Sequence, residues 1–170
     1  MDVFSRTFLP AAAEAGVAIP SVSRHMPVFR RCVESDDVTV LVTRCLRPDG
    51  PMQGEFLLLL TYRRLVVTQE TRVLHRLRLH LNAELRHLSN VTWNADPRIG
   101  TVELAATAID GVREHFHMKV SHPKQVWHFD ALLTHAFRPR VPGRQAAAPV
   151  APVPAATAQP TREFSTAVAY

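Results

Sequence analysis

The chain has 170 residues, with 20 Lys+Arg against 15 Asp+Glu for a net charge of +5, and it is 46% hydrophobic and 21% charged. That is long and apolar enough for one globular domain with appendages, and the composition excludes a wholly disordered or fibrous chain. The positive charge is almost entirely arginine, Lys119 and Lys124 being the only lysines. It permits acidic lipid, nucleic acid or an acidic protein as partner and demands none of them.

Residues 1–36 read as a short helical arm. Asp2 and Arg6 cancel, and Pro10 and Glu14 interrupt any apolar core of a signal peptide, so no leader is expected. Ala11 to Ala15 form one or two helical turns after Pro10, ending at Gly16. A second helix is expected to start at Pro27 and to lay Val28, Phe29, Cys32 and Val33 on a larger core, with Arg24, Arg30 and Arg31 facing water. A basic helix lying on a membrane surface is the functional alternative for this segment.

Residues 37–138 carry the expected β domain. Val38 to Leu46 alternates as a half-buried strand, and the breakers from Arg47 to Gly54 supply a turn. The stretch Gly54-Glu-Phe-Leu-Leu-Leu-Leu-Thr-Tyr-Arg-Arg-Leu-Val-Val67 is too short to cross a bilayer, and its β-branched second half disfavours one helix. It reads as two strands joined by a tight turn near Tyr62 and Arg63. Val73 to Leu81 alternates again, with Leu77, Leu79 and Leu81 on one side and Arg76, Arg78 and His80 on the other; His75 reads as a partly buried, hydrogen-bonded histidine. Leu88 to Asn94 is a shorter strand.

The last hairpin sets its own register. A two-residue turn at Asp110-Gly111 would oppose Leu104 to His117 and mix the faces. A three-residue loop, Ile109-Asp110-Gly111, pairs Ala108 with Val112 and Leu104 with Phe116, leaving Glu114 as the one polar residue on the apolar side. Gly111 is then left-handed in a bulge. A helix follows from Pro123, with Val126, Phe129, Leu133 and Ala136 or Phe137 as its apolar stripe, and stops before Pro139. Residues 139–170, rich in Pro, Ala, Val and Thr, cannot bury enough surface to order and are expected to be a disordered tail.

The fold class is therefore mainly β with a C-terminal α-helix. The Gly54–Val67 run, Leu85-Arg-His-Leu-Ser-Asn-Val91, the Asp110-Gly111 hairpin and the closing helix with Trp127 and Phe129 together resemble the bacterial pleckstrin-homology-like (PH/GRAM-like) domain family. The resemblance covers roughly residues 34–137, and departs from the family at Tyr62, where an acidic residue is usual. It implies a seven-stranded, two-sheet β-sandwich with one helix plugging an end. It also implies that the loops after the first, third and sixth strands share the open end.

Candidate sites are few. In the implied architecture Arg47, Arg72 and Arg113 gather at the open end, with Arg44 nearby, as an anion- or lipid-binding set. Asp49, Glu70 and Asp110 lie close in sequence, so the field is nearly balanced and a tight polyphosphate site is not expected. No apolar wedge is visible on the predicted loops. His115 and His117 share an outward face with Glu103, a weak zinc-ligand set opposed by the charges of Arg113 and Lys119. No nucleophile–base pair, Gly-rich phosphate loop or paired-carboxylate spacing stands out, so neither enzyme activity nor a cofactor is expected. Cys32 and Cys45 match no zinc or redox spacing and read as thiols in a reducing cytoplasm. The expectation is a non-catalytic binding module, cytoplasmic or peripheral to the membrane, docking a protein partner or an anionic membrane surface. The alternative is nucleic-acid binding by the arginine-rich strand faces, which offer no stacking aromatics.

Overall fold

A computed structural model describes residues 2–48, 55–71 and 76–137. Most of the expected turn at 47–54, the start of the expected strand at Val73, His75 and the tail at 139–170 lie outside the described residues. Two helices come first, α1 (Val3–Glu14) and α2 (Ile19–Cys32). Seven strands follow among the described residues: β1 (Thr39–Cys45), β2 (Glu55–Thr61), β3 (Arg64–Glu70), β4 (Leu77–Glu84), β5 (Ser89–Asp96), β6 (Thr101–Thr107) and β7 (Arg113–Lys119). Helix α3 (Pro123–Phe137) closes the domain.

The strands form two antiparallel sheets, β1-β2-β3-β4 and β5-β6-β7. Two sheets ending in one C-terminal helix is the architecture implied by the pleckstrin-homology-like resemblance. Between the sheets, Leu41, Cys45, Phe56, Leu58, Leu60, Leu65, Val67, Leu104, Phe116 and Met118 form one core, which Val126, Phe129 and Leu133 of α3 complete. The expected hairpins are present. Tyr62 and Arg63 make the β2–β3 turn, Leu104 faces Phe116, and the Ala108 N–H donates to the Val112 carbonyl across the three-residue loop. Gly111 takes φ +81°, a conformation that a side chain would strain.

The β2–β3 turn is held from below. The Thr61 hydroxyl donates to Asp37 Oδ2 at 2.6 Å and accepts from the backbone N–H of Arg63 (3.2 Å) and Arg64 (2.9 Å). Asp37 is buried, so this one threonine satisfies a desolvated carboxylate and two turn donors together.

The helices differ from the sequence expectation in extent. α1 starts at Val3 and runs through Pro10, and α2 starts at Ile19 and runs through Pro27. Each proline removes one backbone donor, but each helix buries a stripe that offsets the loss: Phe4, Phe8 and Ala12 on α1, and Val22, His25 and Phe29 on α2. These side chains meet Val42, Leu57, Leu59 and Val66 on the outer face of the four-stranded sheet and form a second core. β1 is therefore not half-buried, and β2 and β3 are buried on both faces. The main apolar stripe of α2 thus lies on the sheet rather than on a surface outside the domain, with Ile19 at its start left exposed.

β4 departs in register. It runs from Leu77 to Glu84, and between Thr68↔Leu79 and Val67↔Leu81 the pairing skips His80. This bulge reverses the side-chain alternation. Leu77 and Leu79 stand opposite Glu70 and Thr68, while Leu81 stands opposite Val67 of the inner core. The three leucines thus do not share a face.

Candidate functional site

The end of the sandwich at which β7 begins is built by β1, β4 and β7 together. Past Cys45, Leu46 exchanges two 2.8 Å backbone hydrogen bonds with His117 and joins the edges of the two sheets. The chain then delivers Arg47 to Glu114, with Nη2 2.8 Å from Oε2. Glu114 is the polar residue on the apolar side of β7, and it is buried. The β4 bulge brings His80 to the same oxygen at 3.2 Å and sets its ring edge-on to Phe56 and Phe116. The buried carboxylate is thereby matched on two sides.

Each arginine of the expected anion set that is described has its own partners. Arg44 pairs with Glu55 across the β1–β2 ladder at 2.9 Å. Arg47 pairs with Glu114 and is only about a quarter exposed. Arg113 lies on the other side of β7 from Glu114, donating to the Asn90 carbonyl (2.9 Å) and to Thr92 Oγ1 (3.0 Å). Asn90 sits at φ +49° in the β5 irregularity, which turns its carbonyl to that guanidinium. Arg72 lies outside the described residues.

The outer face of the three-stranded sheet carries Thr92, Asn94, Glu103, Ala105, Arg113, His115, His117 and Lys119, with no aromatic side chain among them besides the two imidazoles. His117 stands opposite Glu103 as the register requires, 3.7 Å from Nε2 to Oε1. His115 stands opposite Ala105. Among the described residues no group of three or more His, Cys, Asp and Glu is arranged to hold a metal ion. Burial pushes both the Cys45 and the Cys32 thiol up from the ordinary range, away from the reactive thiolate form.

Sequence reasoning missed the tip of the β6–β7 hairpin. Ile109 is 82% exposed and Val112 is 48% exposed. The tip is ordered: Asp110 Oδ1 accepts from the Val112 N–H at 2.9 Å, and the Gly111 N–H donates to the Ala108 carbonyl at 2.9 Å. An apolar knob is therefore present on a loop where none was expected. The available signal was an isoleucine standing where turn chemistry favours Asn, Asp or Gly. Trp127 on α3 is also exposed (59%), whereas Phe129 on the core side of the same helix is buried.

No family model matches the chain, and no curated protein matches it. Among solved structures, the DH/PH domains of PDZ-RhoGEF, in complex with GTPγS-activated RhoA, align at 13% identity with a TM-score of 0.46, over 75% of this chain and 36% of that one. The DH/PH domains of p115-RhoGEF, in a point-mutant form, align at 14% identity with a TM-score of 0.46, over 74% of this chain and 36% of that one. The chain thus spans little more than a third of either protein chain, and a likeness this slight carries no argument about what it binds. No helix among the described residues is long and apolar enough to cross a membrane.

Proposed function

We propose that this chain is a non-catalytic binding module of pleckstrin-homology-like architecture that docks a protein partner through the β6–β7 end of its sandwich. One observation carries the reading: Ile109 is presented to solvent on an ordered hairpin tip, while the described arginines nearby are engaged by the protein itself. Adsorption to an anionic bilayer rests on basic side chains worth about 1 kcal/mol each near the surface. Arg44 and Arg47 have that charge matched by Glu55 and Glu114, and Asp110 adds a negative charge at the tip. An apolar knob on a domain end whose described ion pairs are internally matched suits a pocket on a protein better than a lipid headgroup layer. Arg113, whose partners are neutral, keeps its charge at this end and steers the approach of an acidic partner.

The test uses Ile109→Asp, which touches no core residue. Capture from the native host should recover a protein with the wild type and lose it with this variant, at equal melting temperature. Two results would sink the reading. One is flotation of the wild type with anionic liposomes at low salt that Ile109→Asp leaves intact. The other is anisotropy binding of single-stranded oligonucleotides that is lost on replacing Arg113 and Lys119.

A further inference from the structure

Helix α2 meets the outer sheet face through Val22, His25 and Phe29, and His25 is the one polar member of that stripe. Its side chain is 0% exposed. Nδ1 lies 2.6 Å from Thr68 Oγ1, and the Thr68 hydroxyl lies 3.4 Å from the Leu57 carbonyl. With Thr68 donating to that carbonyl, its oxygen accepts from His25 Nδ1–H. Nε2 is then a bare nitrogen without a hydrogen-bond partner, 3.8 Å from Glu70 Oε2.

The surrounding charges are already engaged. Glu70 on β3 is paired with Arg24 on α2. Glu55 on β2 stands directly opposite Glu70 and is paired with Arg44 on β1. β4 contributes Leu77 and Leu79 opposite Glu70 and Thr68. α1 turns Phe8 toward Phe29, commits Asp2 to Arg30 and Glu14 to His128, and keeps Arg6 exposed.

We propose that His25 makes the α1–α2 pair an acid-releasable cover. Protonation at Nε2 sets an imidazolium between an apolar sheet face and a carboxylate already committed to Arg24, and the helices leave the sheet before the sandwich itself unfolds. The two cores make this separation possible. The face beneath the cover is Val42, Leu57, Leu59 and Val66, whereas the sandwich is held by a distinct inner cluster that includes Leu58, Leu60, Val67 and Phe116.

The sign follows from linkage. Burial holds the imidazole below its ordinary value of 6.5; Glu70 and Glu55 pull it back up, and Arg24 pushes it further down. The released helix therefore binds more protons than the docked one. The contribution of His25 to docking is fully present above the free value and is lost as pH falls below it.

Hydrogen exchange of the full chain at pH 7.5 and 5.5, corrected for chemical exchange rates, tests the proposal. On acidification, peptides from residues 3–32 should lose protection several-fold, while peptides from residues 55–70 and 113–119 keep theirs. His25→Gln should abolish that pH response. Arg24→Gln removes the neighbouring cation that opposes the imidazolium and should shrink the response. Equal loss across all peptides, no loss in the helices, or an undiminished response in His25→Gln each overturns the proposal. If His25→Gln does not fold, Arg24→Gln decides, and a response as large as the wild type's refutes it.

Discussion

Phe8→Ala separates an N-terminal arm from a structural half of the domain. Phe8 is fully buried, with its ring centroid 5.3 Å from that of Phe4 and 5.7 Å from that of Phe29. A buried phenylalanine hides roughly 150–250 Å². The part beyond a methyl group, at about 25 cal/mol per Å², is worth about 3 kcal/mol. The cavity left between two rings and the sheet raises the expected cost to about 3–5 kcal/mol. For a domain of this size that lowers the melting temperature by roughly 10–15 °C. The assay is urea denaturation followed by far-ultraviolet circular dichroism and by tryptophan fluorescence, since Trp93 on β5 and Trp127 on α3 report the three-stranded sheet and the closing helix. A loss below about 0.5 kcal/mol, the range of an ordinary surface substitution, would refute the second core.

Two further substitutions probe buried polar groups. Thr61→Val strands the Asp37 carboxylate and two turn donors and should cost about 2–3 kcal/mol by denaturation midpoint, with Thr61→Ser recovering most of it; equal losses in both would remove the hydroxyl from the account. Glu114→Ala leaves the Arg47 charge unmatched and should cost about 3 kcal/mol, whereas Glu114→Leu combined with Arg47→Met should restore stability, and a double variant no better than the single one would show that the pair is not the cause. By the same reasoning Arg47→Gln is not a neutral surface change, since it withdraws a partner from a buried carboxylate.

Much of the sandwich is legible because its information is local. The β6–β7 register follows from a period of two read across one loop, and only the three-residue loop brings Leu104 to Phe116 and Glu103 to His117. The stripe Val126, Phe129, Leu133 defines α3 in the same way. The β2–β3 hairpin is equally plain in its apolar runs, and its turn falls at Tyr62 and Arg63 as read.

What lies at a distance along the chain is not legible. Pro10 and Pro27 mark breaks by local rules, yet both helices continue, because burying Phe4, Phe8, Val22 and Phe29 on the sheet outweighs one missing hydrogen bond in each. The run Leu57 to Leu60 calls for two covered faces, but nothing in it says that the first helices of the chain supply the second cover. His25 meets Thr68 across 43 positions, and Arg47 meets Glu114 only after Leu46 has bridged the sheets. The local sequence therefore determined the β2–β3 and β6–β7 hairpins and the closing helix, since periodicity and turn chemistry act between near neighbours, whereas the bulge that splits the leucines of β4 escaped it. Tertiary packing decided which faces are buried and which charges are matched, since both depend on contacts that form only when distant segments meet.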